Sequence, residues 1–431
     1  MPLRELDRRS IAAATLPLIF LFSPLISALS AQVNSRAEEI EQARRRKAEH
    51  LEPEVASRTE RALRYMKDRK VLERISAGVA GFRVKLGGLV TGGGFALGPE
   101  YLRRDLAEGE IVVRAAAQSS FKSYRRFEGQ LTFPGFARDK LFFDLYTVHH
   151  DYPGLNYYGP GPDSRLTSRT NFRIIDNAVD GTFGLQPIPE MRFGVSGGYL
   201  HVKVGPGRDR RFASIEQVFT PGEAPGLDVN PSYVRLGAFA QFDYRDNPGG
   251  PRSGGNYVAQ FSRFAERPGT GHEFRRLDLE VEQYIPMFNK RRVIALHGKS
   301  VLTWPDGGNA VPFHLQPVLG GSNSLRGFRP FRFYDNNMIL VNAEWRWEAF
   351  AGLDMAIFGD AGKVFPRHAE WNFRDMETAA GFGFRFNVRN NVFLRIDTGF
   401  SHEGVMVWFK FENIFGGMPV YSSSAYASES R

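Results

Sequence analysis

The chain has 431 residues, of which 42% are hydrophobic and 13% aromatic, with 45 Gly, 37 Phe, no Cys and a net charge of +9. Beyond residue 31 no run approaches the roughly 20 apolar residues of a helical span, which excludes a polytopic helical membrane protein. The lack of cysteine excludes disulfide scaffolds, thiolate metal sites and cysteine nucleophiles, and the apolar content excludes a disordered chain. The basic balance suits nucleic acid, anionic lipid or an arginine-lined pore without choosing among them.

In chain order, Arg4, Arg8 and Arg9 precede the apolar stretch Ile11 to Phe22, and Ser27-Ala28-Leu29-Ser30-Ala31 supplies small residues. This predicts a secretory signal over residues 1–31. Residues 32–77 hold Glu38, Glu39, Glu41, Arg44, Arg45, Arg46 and Lys47 among few apolar positions, with a break near Pro53. The mixed signs predict a charged helical periplasmic segment rather than a nucleic-acid arm.

From residue 78 to 415, segments that alternate between apolar and polar or small positions recur between clusters of Gly, Pro, Asn and Asp. In one, Phe382, Phe384, Phe386 and Val388 alternate with Gly381, Gly383, Arg385 and Asn387; another sets Asp278, Glu280 and Glu282 on one face. These segments are too long for a soluble sandwich. In lipid, a closed sheet is the strand arrangement that leaves no backbone group unpaired. The expected fold is therefore all-β, a transmembrane antiparallel barrel of about sixteen strands with a tail at 416–431. Eleven segments are expected before Trp304, including separate ones at 166–175 and 178–187, and five after it. Tyr157, Tyr158, Trp304, Phe331, Phe333, Tyr334, Trp345 and Trp347 are expected in aromatic girdles.

Motifs of other chemistry fit this pattern poorly. Gly194-Val195-Ser196-Gly197-Gly198 matches a nucleophile elbow, but it sits inside an alternating segment where no strand-to-helix turn can expose Ser196. His297-Gly298-Lys299-Ser300 lacks the first glycine of a phosphate loop. His149 and His150 are adjacent and would face opposite sides of a strand. No catalytic residue, cofactor or metal is expected.

Between the eleventh and twelfth segments, Pro305 to Asn337 contains Gly320-Gly321-Ser322-Asn323-Ser324-Leu325-Arg326-Gly327-Phe328. The next two segments each place an acid on the lumen-facing side, Glu344 and Asp360. Folded inward, the loop would let Arg326 donate to both carboxylates while Gly327 lets the backbone approach the wall. Near the first segment, Gly87, Gly88, Gly92, Gly93 and Gly94 would weaken strand pairing.

With these residues the chain resembles the BamA-like bacterial surface antigen superfamily of outer-membrane assembly and translocation barrels. Leu325-Arg326-Gly327-Phe328 is similar to the family's sixth-loop tip, and Glu344 and Asp360 stand at its acid positions. Asp246-Asn247-Pro248-Gly249-Gly250-Pro251-Arg252-Ser253-Gly254 is similar to its Asp-Asn-Pro hairpin, and Tyr157-Tyr158-Gly159-Pro160-Gly161 to its Tyr-Gly-x-Gly turn. The last segment, with Gly404, Val407, Phe409 and Phe411, approximates the family's C-terminal signal, although residues continue beyond it.

The resemblance implies an outer-membrane location in a Gram-negative-type envelope. It also implies a loop latch of Arg326, Gly327, Phe328, Glu344 and Asp360, and a seam between first and last strands involving Gly87, Gly88, Gly404, Phe409 and Phe411. The expected member is a short one without polypeptide-transport-associated (POTRA) domains. Its expected partners are outer-membrane lipid, unfolded outer-membrane or secreted clients, and a periplasmic accessory protein, with no nucleic acid. The implied function is insertion or translocation of proteins; the alternative is a passive, anion-preferring porin-like channel.

Overall fold

In the computed structural model, residues 79–411 are described, apart from Pro268, Arg389 and Asn390, together with the single residue Glu41. The chain divides into two units, Met1–Val71 and Leu72–Arg431, and all described residues but Glu41 lie in the second. The expected signal and tail, and the charged segment apart from Glu41, lie outside the described residues.

Sixteen antiparallel strands form one sheet: β1 (Phe82–Gly88), β2 (Phe95–Leu106), β3 (Ile111–Ser120), β4 (Arg125–Phe136), β5 (Leu141–Tyr157), β6 (Thr170–Ile188), β7 (Met191–Pro206), β8 (Ser232–Asp243), β9 (Gly254–Arg267), β10 (Phe274–Met287) and β11 (Arg292–Pro305). After a connection over 306–336, which contains the short pair β12 (Val318–Leu319) and β13 (Phe333–Tyr334), the sheet continues with β14 (Asn337–Phe350), β15 (Leu353–Phe365), β16 (Glu377–Val388), β17 (Asn391–Ser401) and β18 (Gly404–Lys410). Each strand pairs with its neighbour in the chain, and β11 passes to β14.

The strand number matches the sequence reading through two differences that cancel. Residues 95–106 form β2, which Pro99 and the charged run Arg103-Arg104-Asp105 hide from a period-two search. Conversely, the two segments expected at 166–175 and 178–187 fall on one strand, β6, which begins at Thr170 after a 3-10 turn at Leu166–Ser168, and whose polar Asp176 and Asn177 lie within the ladder instead of marking a turn.

The polarity of the wall is inverted relative to a soluble protein. In β16, Phe382 and Phe386 face outward while Arg385 is 1% exposed; in β10, Leu279 and Val281 face outward while Asp278, Glu280 and Glu282 are buried. Hydrocarbon satisfies no polar group, so an apolar exterior and an ionic interior are what a spanning sheet requires. One rim carries the short turns at 107–110, 137–140, 189–190 and 351–352, the other the long connections at 158–169, 207–231, 306–336 and 366–376. In outer-membrane barrels the short turns are periplasmic and the long loops extracellular.

The long connections fold into the cylinder. Wall residues Phe172, Tyr233, Phe264 and Phe274 share one buried cluster with Ile215 and Ala224 of the 207–231 connection and Phe313, Leu315, Phe331 and Tyr334 of the 306–336 connection. The Tyr157 ring meets Phe219, Phe313 and Tyr334 at 5.0, 5.2 and 5.0 Å, and its hydroxyl donates to Glu223 O at 2.6 Å. Tyr157, Tyr158, Phe331, Phe333 and Tyr334 are therefore buried rather than in an aromatic girdle, because the rim segments that hold them turn inward. Trp345 is exposed on the outer surface, with its ring 5.9 Å from Trp347. Burial pushes the His314 imidazole down to about 3, so at neutral pH it packs uncharged against Phe313 at 5.3 Å.

A lumen filled in this way predicts small, erratic currents in planar bilayers. Large, steady unitary currents from the purified protein would contradict the packed interior.

Candidate functional site

The 306–336 connection brings Arg326, fully buried, against the inner wall. Its backbone N and Nε donate to Asp360 Oδ2 at 3.0 and 2.9 Å, and Nη2 donates to Asp360 Oδ1 at 2.6 Å. Nη1 donates to Glu344 Oε1, and the guanidinium carbon lies 3.4 Å from the centroid of the Phe358 ring. Alternation on β14 and β15 explains the placement: Glu344 and Asp360 occupy inward positions, with Asn342 and Asp360 paired across the two strands. Asn342 Nδ2 donates both to Asp360 Oδ1 at 2.7 Å and to Ser324 O at 2.8 Å, tying wall and loop together. A Cβ on Gly327 would stand 2.7 Å from Phe400 O and 2.8 Å from the Ala379 Cβ, so a larger residue there would push the loop off the wall. Phe328 packs in a buried cluster with Leu319, Leu325 and Phe333.

Four further wall residues complete the cluster. Arg385 Nη2 and Arg346 Nε donate to Glu344 at 2.9 and 2.6 Å, and Arg385 Nη1 reaches Asp397 Oδ1 at 2.5 Å. Arg395 Nη1 lies 3.3 Å from Asp397 Oδ2, and its Nη2 donates to Ser322 O at 3.1 Å and Asn323 Oδ1 at 2.8 Å. Arg326, Arg346, Arg385 and Arg395 thus face Glu344, Asp360 and Asp397 in a buried space. Sequence reasoning placed Arg385 on the polar face of its strand but not in the site and did not assign Arg395 or Asp397 to it; the signal was the inward phase that all three share with Glu344 and Asp360.

The seam residues divide into two groups. β1 pairs only with β2 and β18 only with β17, and among the described residues no ladder joins β1 to β18. The two edges approach where a Cβ on Gly87 would lie 3.9 Å from the Phe411 Cβ and one on Gly88 3.7 Å from Lys410 Nζ. Gly404 lies at the opposite end of β18, opening the strand after the hairpin paired at Ser401, and Phe409 points outward.

Both edges are held by the loop instead. On the β18 side, Trp408 Nε1 donates to Arg326 O at 2.7 Å, Ser401 Oγ to Gly327 O at 2.7 Å, and Arg332 Nε to Glu403 Oε1 at 2.5 Å. On the β1 side, Thr91 Oγ1 lies 3.2 Å from Ser322 Oγ, and a Cβ on Gly92 would stand 3.0 Å from Pro330.

The hairpin at 246–254 lies on the short-turn rim and reaches across it. Arg252 Nη2 donates to both oxygens of Asp354 on β15, at 2.8 and 2.7 Å, and Gly249 O accepts from Val392 N on β17 at 3.0 Å.

Removing one partner of a buried ion network costs roughly 3–5 kcal/mol. Arg326→Ala should therefore lower the temperature at which the barrel unfolds in heat-modifiability gels and make the loop accessible to added protease. Unchanged heat stability and protease resistance would show that the network does not hold the loop.

The family model of the Omp85 superfamily domain matches residues 213–401. No curated protein matches by sequence. Among solved structures, the chain is similar to BamA from Haemophilus ducreyi lacking POTRA domains 1-3, with TM-score 0.57 and 15% identity over 77% of this chain and 69% of that one. It is also similar to CdiB from Escherichia coli, with TM-score 0.50 and 14% identity over 77% of this chain and 62% of that one. Residues 213–401 are thus similar to the Omp85 superfamily domain, and the sixteen-stranded β-barrel that contains them shares the fold of BamA.

Proposed function

We propose that this chain is an outer-membrane barrel that assists the insertion or translocation of other proteins, working by lateral opening between β1 and β18. The observation behind this reading is that the two edge strands have no hydrogen-bonded ladder between them among the described residues, while each is tethered to the inward-folded loop. Unpaired strand edges are templates for pairing with another extended chain. An edge held by a few loop contacts separates at lower cost than one held by a full ladder, and a client strand can then pair with the exposed backbone. The loop, anchored through Arg326, keeps the edges in place until a client arrives.

A passive porin is disfavoured by the packed lumen. Ser196 lies within β7 opposite Gly237 of β8, a setting that offers no nucleophile elbow.

The chain has no cysteine, so a single engineered pair reports cleanly. The 3.9 Å between a Gly87 Cβ and that of Phe411 matches the roughly 3.8 Å of a disulfide. The Gly87→Cys/Phe411→Cys protein in vesicles should accelerate the insertion of an unfolded barrel when reduced and lose at least five-fold of that acceleration when oxidised. Any backbone strain at position 87 is present in both arms. Equal rates in the two redox states, or no acceleration by the wild type, would refute lateral opening.

A further inference from the structure

On the loop-bearing rim a cavity of about 490 Å³ lies between the β1–β2 turn, the β3–β4 turn, the 207–231 connection and the 306–336 connection. It is separate from the Arg326 cluster and shares no residue with it. Lys122, Arg169, Arg208 and Arg211 line it, and Asp209 is the one carboxylate among its described lining residues.

Asp209 is already engaged, accepting from Arg211 Nε and Nη2 at 2.9 and 2.7 Å. Among the described residues none of the other three cations makes a salt bridge within 4 Å of a carboxylate, although Arg169 lies in the field of Asp209 and Arg208 in that of Asp151. Lys122 Nζ donates to Gly92 O at 2.8 Å, and Arg169 donates to the neutral Asn156 Oδ1 at 3.2 and 3.1 Å while stacking 3.8 Å above the Phe212 ring. Arg208 is exposed and held by its backbone: its N donates to Pro153 O at 2.8 Å, beside the irregularity in the β5–β6 ladder between Tyr152 and Leu155.

Three cations without salt bridges of their own converge on one concavity whose lining holds four cations and one carboxylate, and they repel one another. A multiply charged anion relieves that repulsion, and guanidinium forks with a lysine point charge suit phosphate oxygens. The volume lies within the roughly 300–1,000 Å³ typical of small-ligand sites, more than a bare phosphate fills, and Tyr124 and Phe331 add ring surface to the lining. We propose that this cavity binds a phosphorylated saccharide, either free or as the headgroup of a glycolipid in the outer leaflet. A ligand seated there would touch both the β1–β2 turn at Gly92 and the loop at Pro330, so it would strap the first edge strand to the loop.

The test uses full-length protein in detergent, titrated with glucose 1-phosphate, with glucose as neutral control, and with a bis-phosphorylated glycolipid in mixed micelles. Wild type should bind a phosphorylated probe, with affinity falling as salt rises. Lys122→Ala/Arg208→Ala, two exposed positions, should weaken binding at least ten-fold, and Asp209→Asn should tighten it several-fold; heat-modifiability gels verify that each variant is folded. Binding of the glycolipid alone supports a lipid-borne ligand, and binding of both probes supports recognition of the sugar phosphate itself. Failure to bind either phosphorylated probe, glucose binding as tightly as its phosphate, or an unchanged affinity in the double variant would overturn the proposal.

Discussion

The arrangement depends on one buried guanidinium. Arg326 carries its charge into the barrel and meets Asp360 through three donors and Glu344 through a fourth. A charge so placed is costly in a low-dielectric interior unless paired and hydrogen-bonded on every side. The wall supplies that pairing where β14 and β15 both turn an acid inward. The contacts that follow from this seat, from Gly327 against β17 to Phe328 in its apolar cluster, are set by it.

The seam becomes intelligible in the same terms. A sheet whose first and last strands were fully laddered would need no further closure, and one with free edges would expose unpaired backbone. Here the loop takes the place of the ladder: Trp408 and Ser401 donate to the carbonyls of Arg326 and Gly327, while Thr91 and Gly92 meet the loop from the other side. The residue that seats the loop thus also holds the β18 edge through its own carbonyl. Side chain and backbone of Arg326 connect the barrel interior to its line of weakness.

Much of this was legible in the sequence because the period of two is a local signal. Alternation located the wall, and the phase of Glu344 and Asp360 relative to their apolar neighbours put both acids in the lumen. Where a strand departs from alternation, as β2 does at Pro99, or keeps polar residues in mid-strand, as β6 does at Asp176, the signal fails although the ladder forms. The inward fold of 207–231 and the burial of Tyr157, Phe331 and Tyr334 were not legible, because a rim aromatic looks the same in sequence whether it meets lipid or turns toward the lumen. The partial overlap of β1 and β18, which brings Phe411 to Gly87 and leaves Gly404 at the far end of its strand, depends on the accumulated stagger of the whole cylinder. No local pattern encodes it. The cation-lined cavity likewise assembles Lys122, Arg169 and Arg208 from three separate connections.

The most direct test of the ionic seat is a double-mutant cycle between Arg326 and Asp360, read by denaturant unfolding in detergent micelles. Residues in one buried network couple by about 0.5–3 kcal/mol, and with two charge-assisted side-chain hydrogen bonds between them this pair should fall at the upper end. Strictly additive effects of Arg326→Ala and Asp360→Ala would contradict the claim that their interaction holds the loop inside the barrel.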